Sequence, residues 1–365
     1  MTRFKSTLIA AALGLAFGSA FAQNAGDGMV RIGDATDVPG ALPDLSGKAS
    51  APAVRMPVED FGGKVLGKPI EVLEMDHQNK PDIASSKVRE WFDVQNVDMV
   101  TDLTNSAVAL AAMGVAKEKN RIAIVNGAGA TRITNDACTP NSVHYAWDTY
   151  AMANGTARAL LKQGGKTWYF LTADYAFGHQ SEKDVTEVVN SNGGKVLGSA
   201  RHPLGASDFS SFMVTAKNSG ARIIGLANGG SDTINAIKSA QEFGVDPAKQ
   251  SLAGLAVFIT DIHSAGLKAA QGLILTEAFY WDLNEETRNW SRRYFERMKK
   301  MPTAIQAANY SSTLHYLRAV KEAGTDAAPA VMAKMKSMKV DDFFARGGVI
   351  RVDGRMVHDM CLVQV

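Results

Sequence analysis

Apolar positions along this chain follow two alternating rhythms. Short runs rich in β-branched residues that end on Gly, Asn or Asp read as strands. They are Met29 to Gly33, Ile70 to Met75, Asp98 to Thr101, Arg121 to Val125, Thr167 to Leu171, Lys195 to Gly198, Ala221 to Leu226, Ser251 to Gly254 and Gly272 to Leu275. Longer stretches with helical spacing lie between them. They predict helices over Pro81 to Phe92, Ser106 to Glu118, Tyr150 to Lys162, His179 to Asn192, Ser207 to Ser219, Asp232 to Phe243, Glu285 to Lys300 and Ile305 to Ala323. Strands alternating with helices of this length imply parallel sheets joined by right-handed crossovers. The pattern occurs about twice, before and after roughly Trp147. The expected fold is therefore α/β, with two doubly wound parallel-sheet lobes. Ligands of such sheets bind beyond the carboxyl ends of strands, so the loops directly after each run are the ones to read for function.

The start of the chain departs from this rhythm. In Met1 to Ala22, Arg3 and Lys5 precede an apolar run from Leu8 to Phe17, and Ala20-Phe21-Ala22 gives a small-x-small cut site before Gln23. This is the pattern of an export signal peptide; a short buried helix is the bland alternative. No Cys stands at the cut to carry a lipid, and no later stretch is long and apolar enough to span a bilayer. The expectation is a mature chain from Gln23 with no stable membrane anchor, exported to the periplasm of a Gram-negative type of cell. Arg-Arg is absent from the charged start, which favours the general export route.

Composition narrows the classes. With 46% hydrophobic and 21% charged residues the chain is globular, not disordered, collagenous or disulfide-built. Lys and Arg number 39 against 37 Asp and Glu, a net of +2. No field of one sign is available to hold nucleic acid or an acidic membrane surface. The two cysteines, Cys138 and Cys361, form no C-x-x-C. An oxidising compartment permits a bridge between them; two independent thiols is the other reading.

Chemistry motifs are sparse. There is no G-x-S-x-G, S-x-x-K, H-E-x-x-H or Walker A sequence. Gly127 to Thr131 superficially resembles a dinucleotide turn but lacks the third glycine. The seven histidines are scattered, with no i,i+3 or i,i+4 pair. No cofactor and no metal is expected, and a binder is favoured over an enzyme. Two loops can hold an anion without a charged side chain. In Thr104-Asn105-Ser106, Asn105 or Ser106 is a natural N-cap whose helix offers free N–H groups to a carboxylate. In Gly127 to Thr131, small residues let a ligand approach the backbone and Thr131 adds a hydroxyl. Plain capping and a tight turn would explain either loop alone.

These pieces together resemble the type I periplasmic solute-binding proteins of ABC transporters, in the leucine/isoleucine/valine-binding branch. The likeness runs through Val30 to Gly33, Asn105 to Ala109, Gly129-Ala130-Thr131, Ala173 to Gly178, Gly205 to Phe212, Glu242-Phe243-Gly244 and Gly272, and covers nearly all of the mature chain. The resemblance implies two lobes joined by a three-strand hinge, crossing near Trp147-Asp148-Thr149, Ala278 to Trp281 and Ala345 to Gly348. It implies a signal peptide over 1–22, one lobe of 23–147 with 281–346, and a second of 148–280 with 347–365. It also implies a ligand between the lobes, with Asn105, Ser106, Ala130 and Thr131 at its carboxylate and Phe177 as a wall from the second lobe.

Departures from that pattern shape the expected ligand. Amino-acid binders of this branch place an acid after the strand at Ser251 to pair with the ligand ammonium. Here Ala256 stands there, in Gly254 to Phe258, and the loop of Gly229 lacks the usual tyrosine. A buried ammonium without a counter-charge is costly, although Asp148 or Asp261 could substitute. Trp147, Phe177, Phe258 and Tyr280 offer flat apolar area, with lobe core as their bland reading. The expectation is an ABC importer's receptor for a small carboxylate, favoured apolar or aromatic, docking on membrane permease subunits. A branched-chain or other amino-acid or amide binder, an exported module feeding a membrane sensor, and an exported hydrolase are the alternatives.

Overall fold

The computed structural model describes residues 27–42 and 44–365; the expected signal peptide and its cut at Gln23 lie outside them. The first sheet contains β1 (Val30–Thr36), β2 (Lys64–Val65), β3 (Lys68–Asp76), β4 (Met99–Asp102), β5 (Ile122–Val125) and β6 (Ser142–His144). Their order is β2-β3-β1-β4-β5-β6. All neighbours are parallel except the β2–β3 hairpin. Helices α1 (Ser50–Asp60), α2 (Pro81–Asp93) and α3 (Ser106–Glu118) make its first crossovers. The apolar faces of α2 and α3 bury Val88, Trp91, Val108 and Ala112 against Val100, Ala123 and Val125.

A helical segment follows: α4 (Thr149–Met152), a π turn (Ala153–Ala157) and α5 (Arg158–Lys162). A single unbroken helix is expected there from the sequence. The π turn lets Gly155 lie on Thr276, where a Cβ would come within 2.2 Å of the hydroxyl oxygen, and pairs the Thr156 and Thr276 hydroxyls at 2.9 Å. The second sheet contains β7 (Thr167–Ala173), β8 (Lys195–His202), β9 (Ile223–Ala227), β10 (Ser251–Gly254) and β11 (Ile274–Glu277). They are connected by α6 (Ala176–Ser191), α7 (Ser210–Asn218), α8 (Ser231–Glu242) and α9 (Ile259–Ala265).

The chain then returns. Helices α10 (Glu285–Met298), α11 (Ala304–Ala323) and α12 (Ala328–Ser337) pack on the first sheet. Tyr294 donates to the Ala49 carbonyl at 2.9 Å, and Asn309 accepts from the Asn126 amide at 2.7 Å. A short hairpin, β12 (Val349–Ile350) and β13 (Met356–Val357), ends beside β6, with Arg355 bridged to His144. Strand β14 (Cys361–Gln364) closes the second sheet antiparallel to β11, giving the order β14-β11-β10-β9-β7-β8. Both cysteines are free thiols, Cys138 exposed and Cys361 half-buried.

The sequence pattern passes over α1, α9, α12, β6 and the β12–β13 hairpin. Helix α1 carries Pro52 and Pro57, which read as breakers. Pro52 falls where a helix N–H has no partner to lose, and burial of Ala53, Val54 and Met56 holds the rest. No described helix is long and apolar enough to cross a membrane.

Candidate ligand-binding cleft

The carboxyl ends of the two sheets face each other across a small cleft with an empty volume of about 290 Å³. Loops after four strands of the first sheet supply Leu42 and Leu45, then Thr104, Asn105 and Ser106, then Gly127, Ala128 and Gly129, then Trp147. Three loops of the second supply Tyr175 and Phe177, then Gly229, then Ala256 and Phe258. Among these lining residues there is no Asp, Glu, Lys, Arg or His.

Part of the cleft lining is a set of backbone donors. At the end of β4 three residues take left-handed backbone: Asp102, Leu103 and Asn105 have φ of 66°, 55° and 85°. Two hydrogen bonds to the Asp102 carboxyl hold this turn, from Ser46 Oγ and Thr104 Oγ1, both at 2.6 Å. Burial pushes Asp102 up to about 6, and pushes neighbouring Asp34 well above its ordinary range with Asp102's charge beside it. Asn105 is the N-cap of α3, accepting from Ala107 N at 2.9 Å and Val108 N at 3.4 Å. Its amide nitrogen donates to Asn79 Oδ1 at 3.2 Å. Both ends of the Asn105 side chain are thus committed within the protein. Ser106 Oγ accepts from Ala130 N at 3.2 Å, which leaves its own hydrogen to give. The N–H groups of Ser106, Ala128 and Gly129 have no acceptor among the described residues.

Another part is aromatic and begins at Gly129, against which the Trp147 ring lies. Trp147 meets Phe177 edge-on at 5.6 Å and Phe258 at 5.7 Å. Its indole N–H is buried with no partner among the described residues, an orphan donor that natural interiors seldom leave. Phe177 reaches the cleft because α6 starts at Ala176, three residues before the helix expected from sequence, after an extended Tyr175.

The structure brings Asn105, Ser106, Trp147, Phe177, Gly229, Ala256 and Phe258 together on the cleft, and leaves Ala130, Thr131, Asp148 and Tyr280 off it. Ala130 is buried behind the Ser106 hydroxyl. Thr131 begins a 3-10 turn (Thr131–Thr134) that swings its side chain away, and its hydroxyl donates to Asp184 Oδ2 on α6 at 2.9 Å. Asp148 caps α4 and forms a buried ion pair, Oδ2 to Arg355 Nε at 2.6 Å. Burial alone would raise it; the Arg355 guanidinium, together with His144, the Ala151 N–H and Arg351, outweighs that and holds it below its ordinary value. Asp148 is therefore spent and faces no ligand ammonium. Tyr280 is half-exposed and lines a different hollow. Sequence reasoning misses Leu42, Leu45, Thr104 and Tyr175. Tyr175 stands two residues before Phe177 in a segment already singled out.

Asp261 is no counter-charge either. It is buried in the first turn of α9, accepting from Phe258 N at 2.9 Å, and burial pushes it up to about 8. Burial and the nearby Asp261 charge also raise Glu277 well above its usual range. The folded chain therefore holds protons that an unfolded Asp or Glu loses, and stability falls as pH rises from about 4 to about 8. Buried His144 and His358 act in the opposite sense. Burial lowers both to about 4, so stability gains with pH up to the ordinary histidine value of 6.5. Above that the carboxyls act alone. The thermal midpoint is expected to decline by several degrees between pH 6.5 and 8.5. Asp261→Asn, which keeps the acceptor for Phe258 N, should flatten this limb; an equally steep decline in the variant would contradict the assignment.

The fold and cleft define a class: a two-lobed α/β protein that encloses a small molecule between the carboxyl ends of two sheets. A family model described as periplasmic binding protein matches residues 29–365, and the chain belongs to that family, whose members bind substrates for ABC transporters rather than convert them. A periplasmic binding protein from Burkholderia mallei is 55% identical with a TM-score of 0.90, over 92% of this chain and 89% of that one. A branched chain amino acid ABC transporter periplasmic ligand-binding protein from Burkholderia xenovorans is 37% identical with a TM-score of 0.82, over 92% and 90%. Leu/Ile/Val-binding protein homolog 6 of Brucella abortus is 26% identical over 179 residues, 49% of this chain and 45% of that relative. The chain thus spans about half the length of the curated relatives it matches.

Proposed function

We propose that this protein captures a small carboxylate with an apolar, preferably aromatic, body and presents it to the permease of an ABC importer from the periplasm. The observation that carries this reading is the cleft's polarity. The lining combines free N–H groups and the Ser106 hydroxyl with the rings of Trp147, Phe177 and Phe258, the Gly129 donor lying against the Trp147 ring, and it includes no charged side chain. An acid's negative charge suits a helix N-terminus, and its body suits Trp147, Phe177 and Phe258. The orphan indole N–H can serve a second oxygen on the ligand. An α-ammonium would find no acid among the lining residues.

The lobes proposed are 23–147 with 281–346, and 148–280 with 347–365, hinged at three crossings. The His144–Arg355 bridge and the His144 N to Gly354 O hydrogen bond of 2.9 Å favour grouping 347–357 with the first lobe. The third crossing then falls at residues 358–360 rather than at Ala345 to Gly348.

A second reading, a branched-chain amino-acid receptor, is favoured by the name of the Burkholderia xenovorans relative and by the aliphatic walls Leu42 and Leu45. Calorimetry separates them. Benzoate-like and phenylalkanoate-like acids are expected to bind, and Ser106→Ala to weaken them about ten- to a hundredfold, the ~1.5–3 kcal/mol of a hydrogen bond to a charged group. Tight binding of leucine or valine with no response to aromatic acids would establish the second reading instead.

A further inference from the structure

Two hydrogen-bonded points join the proposed lobes, and neither includes a residue that lines the cleft. At the first, the Asp184 carboxylate on α6 accepts from the Thr131 hydroxyl across the cleft at 2.9 Å, and from the Thr149 hydroxyl at the start of α4. Gln180 Nε2 holds the other carboxylate oxygen at 2.7 Å. Thr149 Oγ1 also accepts from Thr131 N at 3.3 Å, so its single hydrogen is aimed at Asp184. Gln180 shares α6 with Asp184 and orients the carboxylate whether the lobes are apart or together. Thr149 lies at the first hinge crossing, its N–H on the Gly129 carbonyl at 2.8 Å, and stands beside Thr131 of the first lobe; Asp184 reaches the pair from the second. Thr131 follows directly on Ala130, whose N–H rests on Ser106. At the second point Ser231 N donates to Ala41 O at 3.1 Å, beside Leu42. Gly230 takes φ +59° there, and a Cβ would stand 2.4 Å from the Ala41 carbonyl oxygen.

We propose that Asp184 is a positioning residue: with Thr131 it forms a cross-cleft latch that sets affinity by stabilising the closed form, without touching ligand. The inference rests on the two-lobed binding reading above, not on the ligand's class. A latch of this kind multiplies the affinity of every ligand by the same factor, because apparent affinity scales with the fraction of protein in the competent form. It slows release and leaves capture by the open form unchanged.

Benzoate, phenylacetate, leucine and valine serve as probes, so failure of the carboxylate reading in favour of leucine still leaves a ligand on which the latch is measured. For each probe that the wild type binds, Thr131→Val and Asp184→Asn should each weaken binding roughly tenfold. The loss should lie in the dissociation rate. The double variant should be no weaker than the worse single one. Thr131→Ser, which keeps the hydroxyl, should bind like the wild type, and Gly230→Ala should weaken all probes by obstructing the second point. The ratio of affinities between two bound probes should stay constant throughout. Ser106→Ala, by contrast, acts at the carboxylate grip and speaks only to the ligand reading. The latch is overturned by Thr131→Val and Asp184→Asn binding within twofold of the wild type, by losses that add in the double variant, or by a factor that differs between probes.

Discussion

Arg355→Ala should destabilise the folded chain by about 3–5 kcal/mol, the usual penalty for leaving one member of a buried ion pair without its partner. Arg355 and Asp148 are each only 8% exposed, so water cannot replace the missing charge. Arg355 also donates to the carbonyls of His144 and Tyr145 at 3.0 and 2.9 Å. Those two residues lead into Trp147, and His358 adds a hydrogen bond to the Ala146 carbonyl at 2.6 Å. The variant is therefore expected to lose affinity along with stability, because the segment that aims the indole is no longer held. Arg355→Lys should recover part of the charge and little of the orientation, since an ammonium has no planar fork. Urea unfolding of the three proteins decides it: a loss below about 1 kcal/mol for Arg355→Ala would mean that water enters and solvates Asp148.

Gly129→Ala should abolish measurable binding of aromatic probes, a loss of about a hundredfold or more. A Cβ at Gly129 would lie 2.5 Å from two ring atoms of Trp147 and 3.0 Å from a third. The ring is wedged between Phe177 and Phe258 and cannot retreat, so it is driven into a cleft that has no room to spare. Overpacking of this kind costs about 1–3 kcal/mol of stability as well. Gly114→Ala is the control: it lies in α3 with nothing within 4 Å of its added Cβ. It should bind normally and gain up to ~1 kcal/mol from helix propensity. Normal calorimetry with Gly129→Ala would show that the indole does not wall the ligand.

Much of this site is legible in the linear chain because its parts are local. The Asn105 cap and the Ser106 helix start follow from a strand end, a polar residue and an Ala-rich run, and α3 begins where that pattern places it. Phe258 follows from the rule that loops after strands carry ligands, Phe177 from the family resemblance, and Trp147 from its place at the expected hinge crossing. What escapes is set by partners far away in sequence. Thr131 has the right residue type in the right loop, yet its hydroxyl answers to a carboxylate 53 positions later. The acid at Asp148 is spent on Arg355, which no local pattern reveals. Leu42 and Leu45 are overlooked because β1 runs on to Thr36 through Asp34. That polar residue ends the apparent strand, yet it is buried under the Ser50 hydroxyl at 2.8 Å.

The division of labour across the cleft carries a consequence for descent. The donors that suit a carboxylate all come from loops of the first sheet, whereas Tyr175, Phe177, Ala256 and Phe258 come from the second. Genes for such proteins can duplicate and drift in the second-sheet loops alone. If the ligand is the carboxylate proposed above, each copy would keep its hold on the acid group while its taste for the remainder of the molecule changes. On the proposed reading, changes around Phe177 and Ala256 would alter the preference for the body of the ligand, while the donors that must stay constant are confined to loops of the first sheet.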